Sequence, residues 1–451
     1  MPNHPSESRP VTGPATYPAT GPATRPAPRR ARHRIPEAPN TVLRWYHHAL
    51  GLLFGLIITV ITAGKLNSSD WGSLWIAGLL VRDGNREHLY NIDERDFALP
   101  QGEVWFETIA ASDVSSFPHP FVHVPFVADV MSVAVRIMSF DTSVLLLTVA
   151  SGWALVVLLA SAWFFWFTEE IPMVVLLAGI LLGWVSAAFQ SSLYLGQTSP
   201  LIFAGVAYGL AAVQVHPVRA GLALGVVASI KLTPVIVVLI CLFFPRARKA
   251  GLVAMAVGMV AVAYSIVIAG WDVFMTWRQT LQEINAAALV APVNGAFASQ
   301  ISTHLVDDDS LLVAIINDPP LVTSLVPRVL TIALVAVVVS AAWRSHEPWK
   351  IATVGIFTTL TATSGILWDH YTLIAIMPLL GVVARGQGRI IYAAPLLAFF
   401  AFPPLAASDS DLWFPWSALI ILVGAVIALC VAELQRDEPK PERRRWRPSL
   451  Q

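Results

Sequence analysis

The chain has 451 residues, of which 56% are hydrophobic and only 13% charged, and its basic and acidic groups cancel. A soluble domain carries roughly 25% charged residues, so a mean hydropathy of +0.65 and uninterrupted apolar runs exclude one; the lack of alternation along those runs excludes a β-barrel. No nucleic-acid partner is expected, and Cys241 and Cys430 both lie inside apolar runs, so no disulfide framework is implied.

Residues 1–40 are rich in Pro, Thr, Ala and Arg and cannot pack a core, so they read as a disordered tail. The tail ends in the basic block Arg29-Arg30-Ala31-Arg32-His33-Arg34, which the positive-inside rule places in the cytoplasm. A first span is expected over 44–64. Ser68 to Leu80 follows, with Trp71, Leu74, Trp75, Leu79 and Leu80 at helical spacing, an apolar stripe suited to the membrane interface. A long polar segment runs over 65–120. Further spans are expected near 121–139, 142–167, 171–189, 198–214, 218–243 and 250–271. A second polar segment, 272–319, precedes spans near 321–343, 350–366, 370–384, 390–406 and 414–433.

The expected fold is therefore an all-α polytopic membrane protein of about twelve transmembrane helices, with outer-face loops and interfacial helices. The membrane domain covers 41–435, between the tail 1–40 and a basic tail 436–451. Basic residues at Arg246, Arg248, Lys249, Arg344, Lys350, Arg385 and Arg389 fit a multi-pass plasma-membrane protein with both termini cytoplasmic and both long polar segments outside.

Several polar residues have two readings. Asp70 fits an N-terminal helix cap or a catalytic acid held at the bilayer boundary. Trp71 and Trp75 fit interface anchors or sugar-stacking platforms. Lys231 falls near the middle of the 218–243 run, too deep to snorkel easily, and needs either an ion-pair partner such as Asp129 or a ligand anion. Gly196-Gln197-Thr198 opens a span as a turn and cap. Trp368-Asp369-His370-Tyr371 opens another, as interfacial anchoring or as catalytic groups. Asn294 lies in the second polar segment, where a solvated loop is the default. His119 and His123 with Asp113 lack a third ligand at fixed spacing, so no metal site is expected. No Walker, Rossmann or Gly-x-Ser-x-Gly motif is present.

In order and spacing these marks resemble glycosyltransferase family 87, membrane enzymes of the GT-C type. The resemblance rests on Asp70 after the first span, Trp75-Ile76-Ala77-Gly78, Leu89-Tyr90, Phe117-Pro118, Gly196-Gln197, Lys231 with Pro234, and Trp368-Asp369-His370-Tyr371. It implies a GT-C fold and an inverting transfer of a sugar, mannose first, from a polyprenyl-phosphate carrier to a cell-envelope glycolipid or polysaccharide. Arabinosyl transfer is the alternative of the same type. A flippase or transporter of lipid-linked sugars uses the same ingredients. On the enzyme reading Asp70 and His370 are catalytic, and Lys231, Gln197, Arg82, Asp369, Tyr371 and Asn294 bind donor phosphate or substrate, with Arg86 a further phosphate candidate. The partners are the lipid-linked donor, the acceptor and membrane lipids. No cofactor is required.

Overall fold

The computed structural model describes residues 41–386, apart from 116 and 309, and residues 416–436. The tail 1–40, the expected span near 390–406 and residues 437–451 lie outside the described residues. The described chain is mostly helical.

The helices that build the frame are α1 (Trp45–Thr62), α2 (Ser69–Arg82), α3 (Glu103–Ala111), α4 (Pro125–Ile137), α5 (Phe140–Phe167), α6 (Met173–Val185), α7 (Ala187–Leu195), α8 (Ser199–Ala212), α9 (Pro217–Ile230), α10 (Val235–Phe243) and α11 (Arg248–Tyr264). Then come α12 (Trp271–Ala286), α13 (Phe297–Ser302), α14 (Leu321–Arg344), α15 (Pro348–Ala362), α16 (Ile376–Arg385) and α17 (Ser417–Leu434). A two-stranded antiparallel ribbon, β1 (Ala288–Val290) with β2 (Ala314–Ile316), closes the second polar segment, Leu289 facing Ile315.

Five described helices are long and apolar enough to cross a membrane, or six when the bent pair α6–α7 counts as one. That makes the chain a helical membrane protein, with fewer full-length spans than the roughly twelve read from hydropathy. Six of the expected spans are short or broken, the runs at 198–214, 350–366 and 370–384 forming helices of fifteen residues or fewer, and the other three for reasons visible in the course of the chain. The 121–139 run forms only the 13 residues of α4, about 20 Å long against the ~30 Å of a hydrocarbon core. The 171–189 run ends at Ser186, where the chain bends by 61° into α7. The 218–243 run breaks at Lys231–Pro234 into α9 and α10.

Small residues set the directions of the bundle, because they let backbones approach closely. Gly55 lies against Val149 and Gly51 against Trp153, so α1 and α5 are antiparallel. Residues 63–139 accordingly sit at one end of that pair. Gly205 meets Val227 and Gly209 meets Leu224, so α8 and α9 are antiparallel as well. Gly221 meets Ala250 and Val253, and Gly225 meets Ala254 and Val257, so α9 and α11 run the same way. Gly251 abuts Cys241 and Leu242, which brings the end of α10 back to the start of α11. Helices α9 and α10 are thus a short hairpin with Lys231 at its apex, level with the start of α8. Hydropathy read one helix with a lysine at its midpoint; the tight Lys231–Pro234 turn makes two.

The stripe on α2 also differs from expectation. Every residue from Gly72 to Leu80 is buried, under α3, α4 and the start of α5. Trp75 is 2% exposed and packs edge-on against Phe140. It is a core residue, because other protein elements rather than lipid cover the apolar face.

Candidate functional site

The start of α2 is strapped to the α7–α8 corner. The backbone N–H groups of Asn67 and Ser68 both donate to the Tyr194 carbonyl, at 2.9 and 2.8 Å. Gly196 has φ +68°, and a Cβ there would come within 2.9 Å of the Trp71 Cβ and 3.1 Å of the Ser68 Cα. Both the left-handed backbone and the close approach call for glycine. Trp71 Nε1 donates to Ser143 Oγ at 2.8 Å, tying the same turn to α5.

Asp70 is held across this junction, and its carboxylate is not spent on capping. Oδ2 accepts a hydrogen bond from the Gln197 carboxamide, and Oδ1 lies 3.4 Å from His119 Nε2. The side chain is half-buried and keeps 20% of its surface accessible. Burial raises its pKa above the ordinary 3.8, against the opposing pull of His119, the Gln197 hydrogen bond and Lys231.

Lys231 approaches from the apex of the α9–α10 hairpin. Its Nζ donates to Ser199 Oγ at 3.3 Å, on the first turn of α8, and stands 4.2 Å from the centre of the Tyr371 ring. No carboxylate lies within ion-pair distance of it among the described residues. The expected partner Asp129 is instead bound to Arg86, whose guanidinium also reaches the Ile268 carbonyl at 3.5 Å. Arg86 is therefore tied to α4 and the last turn of its neighbouring span rather than free for an anion. A half-buried ammonium carrying one neutral hydrogen bond and a ring face is short of counter-charge.

Tyr371 belongs to a 3-10 turn, Asp369–Ala375, between α15 and α16. Its ring also touches His370 edge-on, with 4.8 Å between centroids. His370 is 1% exposed and neither ring nitrogen has a partner among the described residues; burial, reinforced by the Lys231 charge, lowers its pKa and keeps the imidazole neutral. Burial pushes the Asp369 carboxyl up to about 7. Asp70, Gln197, Lys231, Tyr371, Asp369 and His370 thus gather at one end of the bundle, although His370 lies behind Tyr371 rather than on an open wall.

Two of the expected binding residues are elsewhere. Arg82 is at the far end of α2, about 18 Å from Asp70 at 1.5 Å per residue. It forks onto the neighbouring Asp83 at 2.7 and 2.8 Å. There it borders a separate cavity of about 320 Å³ with Trp75, Thr108 and Asp113. Asn294 is fully buried and its amide is consumed by backbone: it donates to the Leu289 carbonyl at 2.7 Å and accepts from Leu367 and Ala296 N–H. It anchors the segment leading into Trp368, and its side chain faces backbone rather than an open site.

His119 is the residue that the sequence reading set aside. The trio weighed for metal comes apart: Asp113 accepts from the Phe140 N–H, His123 Nδ1 lies 2.9 Å from the Ile230 carbonyl, and only His119 reaches Asp70. No spacing connects 70 to 119. The rigid Pro118-His119-Pro120 context was the available signal.

A half-buried carboxylate of raised proton affinity within the field of an ammonium that lacks an ion-pair partner can accept a proton from one reactant and stabilise an anion on another. Comparison with protein families gave one result: the model described as Glycosyltransferase family 87 matches residues 121–364, more than half of the chain. The match includes Gln197 and Lys231; Asp70, His119 and His370 lie beyond its ends. No curated protein and no solved structure matched.

Proposed function

The chain belongs to glycosyltransferase family 87, and from that premise we propose that it moves a sugar, mannose first, from a polyprenyl-phosphate carrier to a cell-envelope glycolipid or polysaccharide. The observation that supports this reading is that Asp70, on the first turn of α2, lies within the electrostatic reach of Lys231, a cation with no carboxylate at ion-pair distance among the described residues. The acceptor hydroxyl attacks the anomeric carbon and gives its proton to Asp70. The bond from that carbon to the phosphate oxygen breaks, its electron pair leaving with the phosphate, and Lys231 holds the charge that develops there. One displacement inverts the centre, so a β-linked donor gives an α-linked product. Gln197 fixes the orientation of the Asp70 carboxylate, and Tyr371 and Asp369 line the approach. The reaction occurs on the outer face, where the lipid phosphate meets water.

The test is transfer from radiolabelled polyprenyl-phosphate mannose and polyprenyl-phosphate arabinose in membranes from cells overproducing the protein. Label from the mannose donor should enter an endogenous lipid or polysaccharide fraction, and Asp70→Asn should abolish it. Transfer from the arabinose donor alone reassigns the sugar. Transfer from neither, in membranes containing folded protein, ends the reading.

A further inference from the structure

Asp70 cannot turn over as a base unless the proton it takes is removed. One carboxylate oxygen, Oδ2, is held by the Gln197 N–H. The other faces His119 Nε2 at 3.4 Å. The two side chains differ in access: 20% of Asp70 and 33% of His119 is exposed. Lys231 and Tyr371 approach the same carboxyl from the α9–α10 apex and the 3-10 turn, and neither offers an exit. Lys231 is a cation, and Tyr371 is a phenol covered by the Lys231 ammonium. His123, the neighbouring imidazole on the same loop, has its Nδ1 engaged with the Ile230 carbonyl.

We propose that His119 is the relay that resets Asp70, taking the acceptor's proton from Oδ1 onto Nε2 and passing it to water from its exposed edge. This inference rests on Asp70 being the base. The proton leaves the acceptor oxygen as the new glycosidic bond forms, resides on Asp70, moves to the imidazole, and is lost to solvent; the phosphate departs with its own electron pair and needs no proton from this pair. The loop geometry suits the task. Pro118 and Pro120 limit the backbone on both sides of His119, and Pro118 packs against Gly72 on the first turns of α2.

His119→Ala in the full-length enzyme should lower kcat by about tenfold or more with KM for the donor unchanged. The loss should be smallest in concentrated buffer, because a small diffusing base can then drain the Asp70 proton in place of the imidazole. Added imidazole should restore much of the rate. His119→Gln keeps a hydrogen-bond donor but cannot carry a proton, and should stay slow. A His119→Ala enzyme with the wild-type kcat or without any response to added imidazole, or a His119→Gln enzyme with full activity, overturns the relay and leaves His119 a brace. The two readings separate cleanly. Full activity of Asp70→Asn removes the base itself, whereas an inactive Asp70→Asn beside an unperturbed His119→Ala removes only the relay.

Discussion

Two charged clusters sit at opposite ends of α5 and are built on opposite principles. At the far end, Arg385 meets Glu347 at 2.6 Å and Glu433 at 3.3 Å, and Lys350 meets Glu347 at 2.8 Å. Two cations face two carboxylates, and each cation also lies 5.4 Å from an aromatic ring of α5, Lys350 over Phe165 and Arg385 over Trp166. This cluster ties α15, α16 and α17 to α5. At the near end, Asp70 shares no ion pair with Lys231, Lys231 has a hydroxyl and a ring for company, and His370 has no partner among the described residues. Buried charges that neutralise one another lock helices in register; buried charges left short of partners are costly and persist where a ligand completes them. Burial alone does not separate the two ends. The balance of charge does.

The sharpest way to break this comparison is Asp70→Asn. Activity should fall by about a hundredfold or more, as measured by sugar transfer. Stability should not fall with it. The folded-state pKa of Asp70 is raised, so its contribution favours the fold at acid pH and is lost as pH rises past that value; removing the ionisable group leaves stability at neutral pH unchanged or higher. A marked loss of melting temperature in Asp70→Asn would place this carboxylate with the structural cluster instead.

Arg385→Met should do the reverse. It strands Glu433 and leaves Glu347 with Lys350 alone, and removing one partner of a buried pair costs about 3–5 kcal/mol. Thermal unfolding in detergent should show the loss, while the fraction that remains folded keeps its specific activity. Lys231→Met comes next. Losing a hydrogen bond to a charged ligand is worth about 1.5–3 kcal/mol, roughly ten- to a hundredfold, and should appear as weaker donor use without a loss of stability. An unchanged donor KM and kcat in well-folded Lys231→Met would remove the anion role.

The pH profile sharpens the near end. Transfer should rise with pH through an acid limb above the ordinary carboxylate value, because the base must be ionised. Asp369, pushed up to about 7, is the competing source of that limb. Asp369→Asn should leave the limb in place, and Asp70→Glu should shift it. The smallest effect belongs to Arg82→Gln. An exposed pair between neighbouring residues contributes about 0–1 kcal/mol, so both activity and melting temperature should stay near wild type.

How far the sequence reached varies residue by residue. Asp70, Gln197, Lys231 and Tyr371 were legible because each stands where a polar group interrupts or borders an apolar run, and such a group needs a reason to be there. Asn294 and Arg82 look the same in sequence, as amide and guanidinium in polar segments. Their removal from the site comes from what they bind: backbone for Asn294, the adjacent Asp83 for Arg82. His119 was missed because its meeting with Asp70 is a long-range contact between the first turn of α2 and the 118–120 loop, and no periodicity records it.

The sequence by itself determined that this is a helical membrane protein and which family it resembles, because hydropathy is a property of composition over about twenty residues and survives any packing. It did not determine how many of those runs are single helices. The chain turns at Ser186 and at Lys231–Pro234. Whether a lysine lies mid-span or at the apex of a hairpin depends on which neighbour the next helix packs against. Tertiary structure alone decided that, and with it the candidate site: glycine contacts fix the helix directions, the directions bring the start of α2 and the ends of α7 and α9 together, and that meeting places Asp70 near His119 and within the field of Lys231.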